Sequence, residues 1–126
     1  MTTEFESLAR RIEAADKLDE ATAQQVVDAL SGHFPDKDQV QSISADQLAS
    51  SDYVIHLIDD AVPGWSIHIT GTAVEPNGHW HCILRRSDSR DSDEFIGQGR
   101  GKVLSNALTA ALLRTVAYMI GHHQIA

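Results

Sequence analysis

Seven histidines, one cysteine, an acidic loop and a glycine run ahead of a lysine are the parts of this 126-residue chain whose chemistry is worth testing first. His79 and His81 stand two apart, so on a strand both imidazoles leave one face and could reach the same zinc ion. A zinc centre needs a third protein ligand, and the pattern offers none; His122 and His123 would reach only if the C-terminus folded back. Asp88, Asp91, Asp93 and Glu94 lack the spacing and the glycine of an EF-hand loop and read as a solvated loop. No metal ligand and no cofactor is therefore assigned. Cys82 alternates with Trp80 and Leu84 on a face expected to be buried, where a thiol is inert. Gly-x-Ser-x-Gly, His-Glu-x-x-His and paired-cysteine motifs are absent, and Asp59, Asp60 and Trp65 form no acid–base arrangement, so nothing points to an enzyme.

Gly97-Gln98-Gly99-Arg100-Gly101-Lys102 invites a phosphate-cradle reading, because amides at a helix start attract anions. A P-loop, however, needs four residues between its first glycine and the Gly-Lys pair, followed by Ser or Thr. Here Val103 follows, and no parallel βαβ unit precedes. The glycines are expected instead to let a strand twist and turn tightly into a helix.

The elements that would carry these residues follow from periodicity. Phe5, Leu8, Ile12 and Ala15 share one face of a helix over 4–15. Asp19 caps a second helix to Ser31, closed by Gly32 and Pro35. Two short helices in tandem resemble a DNA reader, but the outward residues Glu20, Gln24, Gln25 and Asp28 include no cation to meet phosphate. A polar connection spans Phe34 to Gln41. Ser44 and Gln47 form a capping box for a short helix that runs to Val62 with a break near Ser50-Ser51; Tyr53–Ile58 also fits a strand. Trp65 to Gly71 alternates as a half-buried strand, Glu75-Pro-Asn-Gly78 turns, and His79 to Arg86 returns. A turn centred on Pro76-Asn77 sets Ile69 opposite Leu84 and Thr72 opposite His81. One face then holds Trp65, Ile67, Ile69, Trp80, Cys82 and Leu84. The other holds Ser66, His68, Thr70, His79, His81 and Arg85. Ser87 to Glu94 reads as a mobile loop, and Phe95-Ile96 opens a third strand that ends in the glycine run.

The last element is a long helix. Leu104, Ala107, Leu108, Ala111, Leu112, Thr115 and Met119 make one apolar stripe, which Leu113, Val116 and Ile120 widen until cover on more than one side is expected; Gly121 sits at its C-terminal cap. The reading is one α+β domain over 1–126: N-terminal helices, three antiparallel strands, then a long C-terminal helix packed on the sheet.

Composition narrows the function classes. A net charge of −8 disfavours nonspecific binding to nucleic acid or a membrane surface. No apolar run reaches the roughly 20 residues of a membrane span, the N-terminus lacks a signal-peptide pattern, and a lone cysteine fits a reducing cytoplasm.

Two resemblances add expectations. Helix, three strands and helix with Gly99-Arg-Gly101-Lys102 before the last helix resembles double-stranded-RNA-binding domains, although those continue Lys-Lys-x-Ala-Lys and this chain continues Val103-Leu104-Ser105. That resemblance implies nucleic-acid contact through Arg100, Lys102 and Arg114. The second covers most of the chain. Leu8-Ala-Arg-Arg-Ile-Glu-Ala-Ala15 with Leu18-Asp-Glu-Ala21, the segment into Val62-Pro-Gly-Trp65, and the glycine turn into Ala107-Leu-Thr-Ala-Ala-Leu-Leu-Arg114 are together similar to the phage ABA sandwich domain family. It implies an α+β fold encoded by a phage or prophage, and no activity; the loop Ser87–Glu94 is long for it. A sandwich would also cover the polar sheet face, with the N-terminal helices or with a second subunit. The resulting expectation is a cytoplasmic, non-catalytic module that binds a protein partner through His68, His79, His81 and Arg85, with nucleic-acid binding as the alternative.

Overall fold

The computed structural model describes residues 2–15, 18–31, 44–61, 65–72, 79–85 and 96–121. The elements run α1 (Thr2–Ala14), α2 (Glu20–Ser31), α3 (Ala45–Leu48), α4 (Ser51–Ala61), β1 (Ser66–Thr72), β2 (His79–Arg85), β3 (Ile96–Gly101) and α5 (Leu104–Gly121). This is the α+β order expected. The connection 34–41, the turn 75–78, the loop 87–94 and the histidines 122–123 lie outside the described residues.

Local chemistry sets the helix starts. Asp19 Oδ1 accepts the Thr22 N–H at 2.8 Å, and that bond, which only the carboxylate can accept so well, lowers the Asp19 pKa. Ser44 accepts the Gln47 N–H, and the Gln47 side chain accepts the Ser44 N–H at 2.9 Å, closing the capping box. Ser50 Oγ then accepts the Tyr53 N–H at 3.2 Å and starts α4. The segment 53–58 is helix, not strand, because Val54, Leu57 and Ile58 at helical spacing are all buried.

α5 is the hub. It packs against every other element except β1. Ser105 to Leu113, Thr115 and Val116 are all buried, so the helix is enclosed by the sheet on one side and by α1, α4 and their neighbours on the other. Each fully buried Leu or Val contributes about 1.5–3 kcal/mol, which makes packing rather than propensity the main support of this helix. Its buried polar groups are mostly bonded locally. Thr109 and Thr115 each donate to the carbonyl four residues back at 2.9 Å, and Asn106 Nδ2 donates to the Ala15 carbonyl at 3.0 Å, tying α5 to the end of α1.

The strands pair antiparallel in the order β1-β2-β3. The register differs from the expected one by two residues: Ile67 faces Leu84, Ile69 faces Cys82 and Thr70 faces His81. Side chains repeat every two residues, so a two-residue slip keeps every residue on its expected face while changing its neighbour. Ile67, Ile69, Gly71, Trp80, Cys82, Leu84, Gly97 and Gly99 share the face on which α5 lies. Among the described residues no helix covers the opposite face, where His68, Thr70, Gln98 and Arg100 are exposed. The described elements thus cover one face of the sheet and do not form a sandwich closed on both.

The glycine run is strand, not turn. β3 continues through Gly97 and Gly99 to Gly101 because α5 needs their missing side chains. A Cβ on Gly97 would overlap Thr115 Oγ1, and one on Gly99 would overlap the Ala107 carbonyl oxygen. Ala107, Ala111 and Thr115, four apart, form the matching small stripe on the helix. A methyl at Gly99 strikes backbone, which cannot step aside. Gly99→Ala is expected to cost about 3 kcal/mol or more in urea unfolding. Gly97→Ala strikes a side-chain hydroxyl, so Thr115→Ala should recover part of its loss in the double variant, whereas no single truncation should recover Gly99→Ala.

Candidate functional site

Three strands without a single Asp or Glu build the uncovered face, in a chain that holds 18 of them. β1 contributes His68 and Thr70, β2 contributes His81, Ile83 and Arg85, and β3 contributes Gln98 and Arg100. Antiparallel pairing sets His81 between Thr70 and Arg100, and Ile83 between His68 and Gln98. His81 Nε2 lies 2.9 Å from Gln98 Oε1, which fixes the imidazole across β2 and β3. His68, Thr70, Gln98 and Arg100 are exposed, while His81, Ile83 and Arg85 are half-buried. His79 opens β2 opposite Thr72; its side chain lies outside the described residues.

The two-residue slip changes the histidine geometry. His68 was expected four residues along from the point opposite His81. It stands two residues along, on the diagonal, where neighbours lie about 7–8 Å apart and their Cβ atoms somewhat closer. The face thus gathers His68 and His81 more closely than the expected register allowed. Among the described residues, no group of three His, Cys, Asp or Glu side chains is placed to hold a metal ion. Cys82 points into the core beneath α5, and desolvation pushes its pKa up to about 11, so the thiol stays protonated at neutral pH.

Arg100, Lys102 and Arg114 do not form one cationic surface. Arg100 and Lys102 are exposed, but Arg114, the single charged residue of α5, is turned inward. All five of its N–H donors are used. Nε and one Nη2 hydrogen go to Glu6 at 3.0 Å each, the second Nη2 hydrogen goes to Glu13 at 3.0 Å, and Nη1 serves Glu13 at 2.6 Å and the Gln98 carbonyl at 2.8 Å. Glu13 in turn accepts the Arg100 N–H at 2.8 Å. Hydrogen bonds donated to Glu13 first, then to Glu6, hold the guanidinium pKa above its ordinary value against the opposing cost of burial. No donor of Arg114 remains for a phosphate.

This clamp also finishes the sheet. The Gln98 carbonyl and the Arg100 N–H point off the outer edge of β3, where a further strand would otherwise add, and Arg114 and Glu13 occupy them. One sequence signal bears on it: Glu6 and Glu13 are seven apart, two turns up one face of α1, and Arg114 stands alone in an apolar helix. Their meeting requires the tertiary fold. An open groove of about 480 Å³ lies between α1 and α2 beside Phe5, Leu8 and Ala29; Arg11 donates to Gln25 across it at 2.7 Å.

No family model, curated protein or solved structure matches the chain.

Removing the arginine takes five donors from two carboxylates and a carbonyl, leaving Glu6 with Arg10 and Glu13 with the Arg100 N–H. Arg114→Met is expected to cost about 2–3 kcal/mol, between exposed and buried ion-pair values, because Arg114 and Glu13 retain a fifth of their side-chain exposure. Arg114→Lys should restore little, since an ammonium has three donors for five acceptors. Bonding to Arg114 lowers the Glu6 pKa below 4.5. A depressed carboxylate stabilises above its unfolded pKa and loses that contribution as pH falls through the folded value. The wild type should therefore weaken as pH drops below about 4.5, and Arg114→Met should show a shallower acid dependence over the same range.

Proposed function

We propose that the protein is a non-catalytic, cytoplasmic interaction module that docks an acidic partner protein on its uncovered sheet face. One observation carries the reading: an acidic chain presents an open face with cations and imidazoles and no carboxylate among its described strands. Such a face attracts negative potential while the rest of the molecule repels it, which gives both steering and orientation. Exposed His68, Thr70, Gln98 and Arg100 offer donors, and half-buried Ile83 between them offers apolar area at the centre, the arrangement of a polar rim around a drier middle. No helix among the described residues is long and apolar enough to cross a membrane. The phage or prophage origin implied by the sandwich-family resemblance belongs to the same proposal, with a phage or host protein as partner.

Nucleic acid is the competing ligand for a cationic face. The internal use of Arg114 weighs against it, because the remaining Arg100 and Lys102 release few counterions. An amide chemical-shift titration separates the two. A polyglutamate chain stands in for the acidic partner, and duplex RNA and duplex DNA are added in parallel at low and moderate salt. Shifts confined to residues 66–70, 81–85 and 98–100 with polyglutamate, lost about tenfold in affinity in Arg100→Glu, are the expected result. Tighter binding of a duplex, falling steeply with salt, would replace the protein-docking reading. Shifts only on the helices would remove the face from consideration.

A further inference from the structure

The two edges of the sheet are finished differently, and the difference points to a second copy of this chain. On β3 the outward residues are Ile96, Gln98 and Arg100, and two of their backbone groups, the Gln98 carbonyl and the Arg100 N–H, are taken by Arg114 and Glu13. In an antiparallel strand both polar groups of one residue point to the same side, and successive residues alternate. Gly97, Gly99 and Gly101 therefore turn theirs toward β2, meeting Leu84, Cys82 and Trp80. His79, His81, Ile83 and Arg85 then turn theirs toward β1, meeting Thr72, Thr70, His68 and Ser66. What remains on the outer edge of β1 is the N–H and carbonyl of Ile67, Ile69 and Gly71.

Among the described residues, that edge lacks the devices that keep edges single. β1 reads Ser-Ile-His-Ile-Thr-Gly-Thr, with no Lys, Asp, Glu or Pro. α5 reaches β2 and β3 but not β1, so the apolar side of the strand is left incompletely covered. Ile69 is 40 % exposed, and Ile67 and Trp80 are only partly buried. The Trp80 indole lies over Gly71, filling the room of the absent side chain.

We propose that two copies pair β1 against β1 about a twofold axis at Ile69, joining two three-stranded sheets into one of six strands. The strand is self-complementary in this register. Ile69 faces Ile69 of the second copy and Ile67 faces Gly71, so the three residues with outward backbone groups on each copy exchange N–H and carbonyl with the same three on the other. On the α5 side, the two Ile69 side chains meet at the axis, and each Ile67 lies beside the indole that covers the other copy's Gly71. No formal charges oppose across the axis. The pairing uses backbone groups along a strand edge without Lys, Arg, Asp or Glu, whereas the docking reading uses the side chains of the open face.

Sedimentation equilibrium over a range of concentrations and salt tests it, together with amide hydrogen exchange. The wild type is expected at twice 13.8 kDa, and more firmly so as salt screens the −8 carried by each copy. Ile69→Lys sets two ammonium groups face to face and should weaken the dimer by about a hundredfold or more, with an unchanged circular dichroism spectrum, since the side chain is already exposed. In the wild type the amides of Ile67, Ile69 and Gly71 should exchange slowly at high concentration and fast on dilution. Those of His68 and Thr70, bonded within the sheet, should stay protected throughout. A wild type that remains at 13.8 kDa at millimolar concentration overturns the proposal, as does a dimer whose Ile67, Ile69 and Gly71 amides exchange freely. If Ile69→Lys does not fold, the exchange pattern of the wild type decides alone. Loss of polyglutamate binding with the dimer intact would fall on the docking proposal instead.

Discussion

β3 and α5 meet backbone against backbone. Gly97 and Gly99 bring the strand against Ala107, Ala111 and Thr115 until no Cβ fits between them. A helix held this near one strand covers that strand and its neighbour and then runs out of width. β1 is left beyond its reach, and the whole disposition of the sheet follows. The helix lies over the sheet edge where Arg114 can reach Gln98, and among the described residues the far edge receives no such cover.

The Arg114 cluster is the electrostatic counterpart of that approach. A guanidinium carried into a helix otherwise apolar and neutral would be costly if any donor were left over. Two carboxylates from α1 and one strand carbonyl answer all five, and Glu13 also takes the strand amide beside it. The cluster joins the first helix to the last strand and the last helix, across 87 to 108 residues of sequence. It also has a functional consequence, because it removes from the surface the cation that a nucleic-acid reading most needs. Charge that would be attributed to binding belongs to architecture.

Much of the architecture was legible residue by residue. Asp19 and Ser44 mark helix starts because their side-chain oxygens bond amides three residues on, a contact that depends on nothing distant; the break near Ser50-Ser51 is where Ser50 makes the same bond to Tyr53. The alternation in β1 and β2 assigned every residue to its face. The exact pairing was out of reach, since a slip of two leaves the alternation intact and the hydrophobic pattern cannot tell the registers apart. The open face was therefore readable as a set of residues but not as a set of neighbours: His68 and His81 sit closer, and Gln98 joins them from a strand whose pairing the pattern left unspecified.

The sequence by itself determined the order of elements, the sites of their caps, the inward and outward sides of β1 and β2, and the buried character of α5. Each of these depends on periodicity or on bonds within a few residues. The tertiary structure alone decided why the glycines are there, where Arg114 points, and which sheet edge is closed. Those outcomes rest on the distance between backbones far apart in the chain, and no local pattern encodes a distance of that kind.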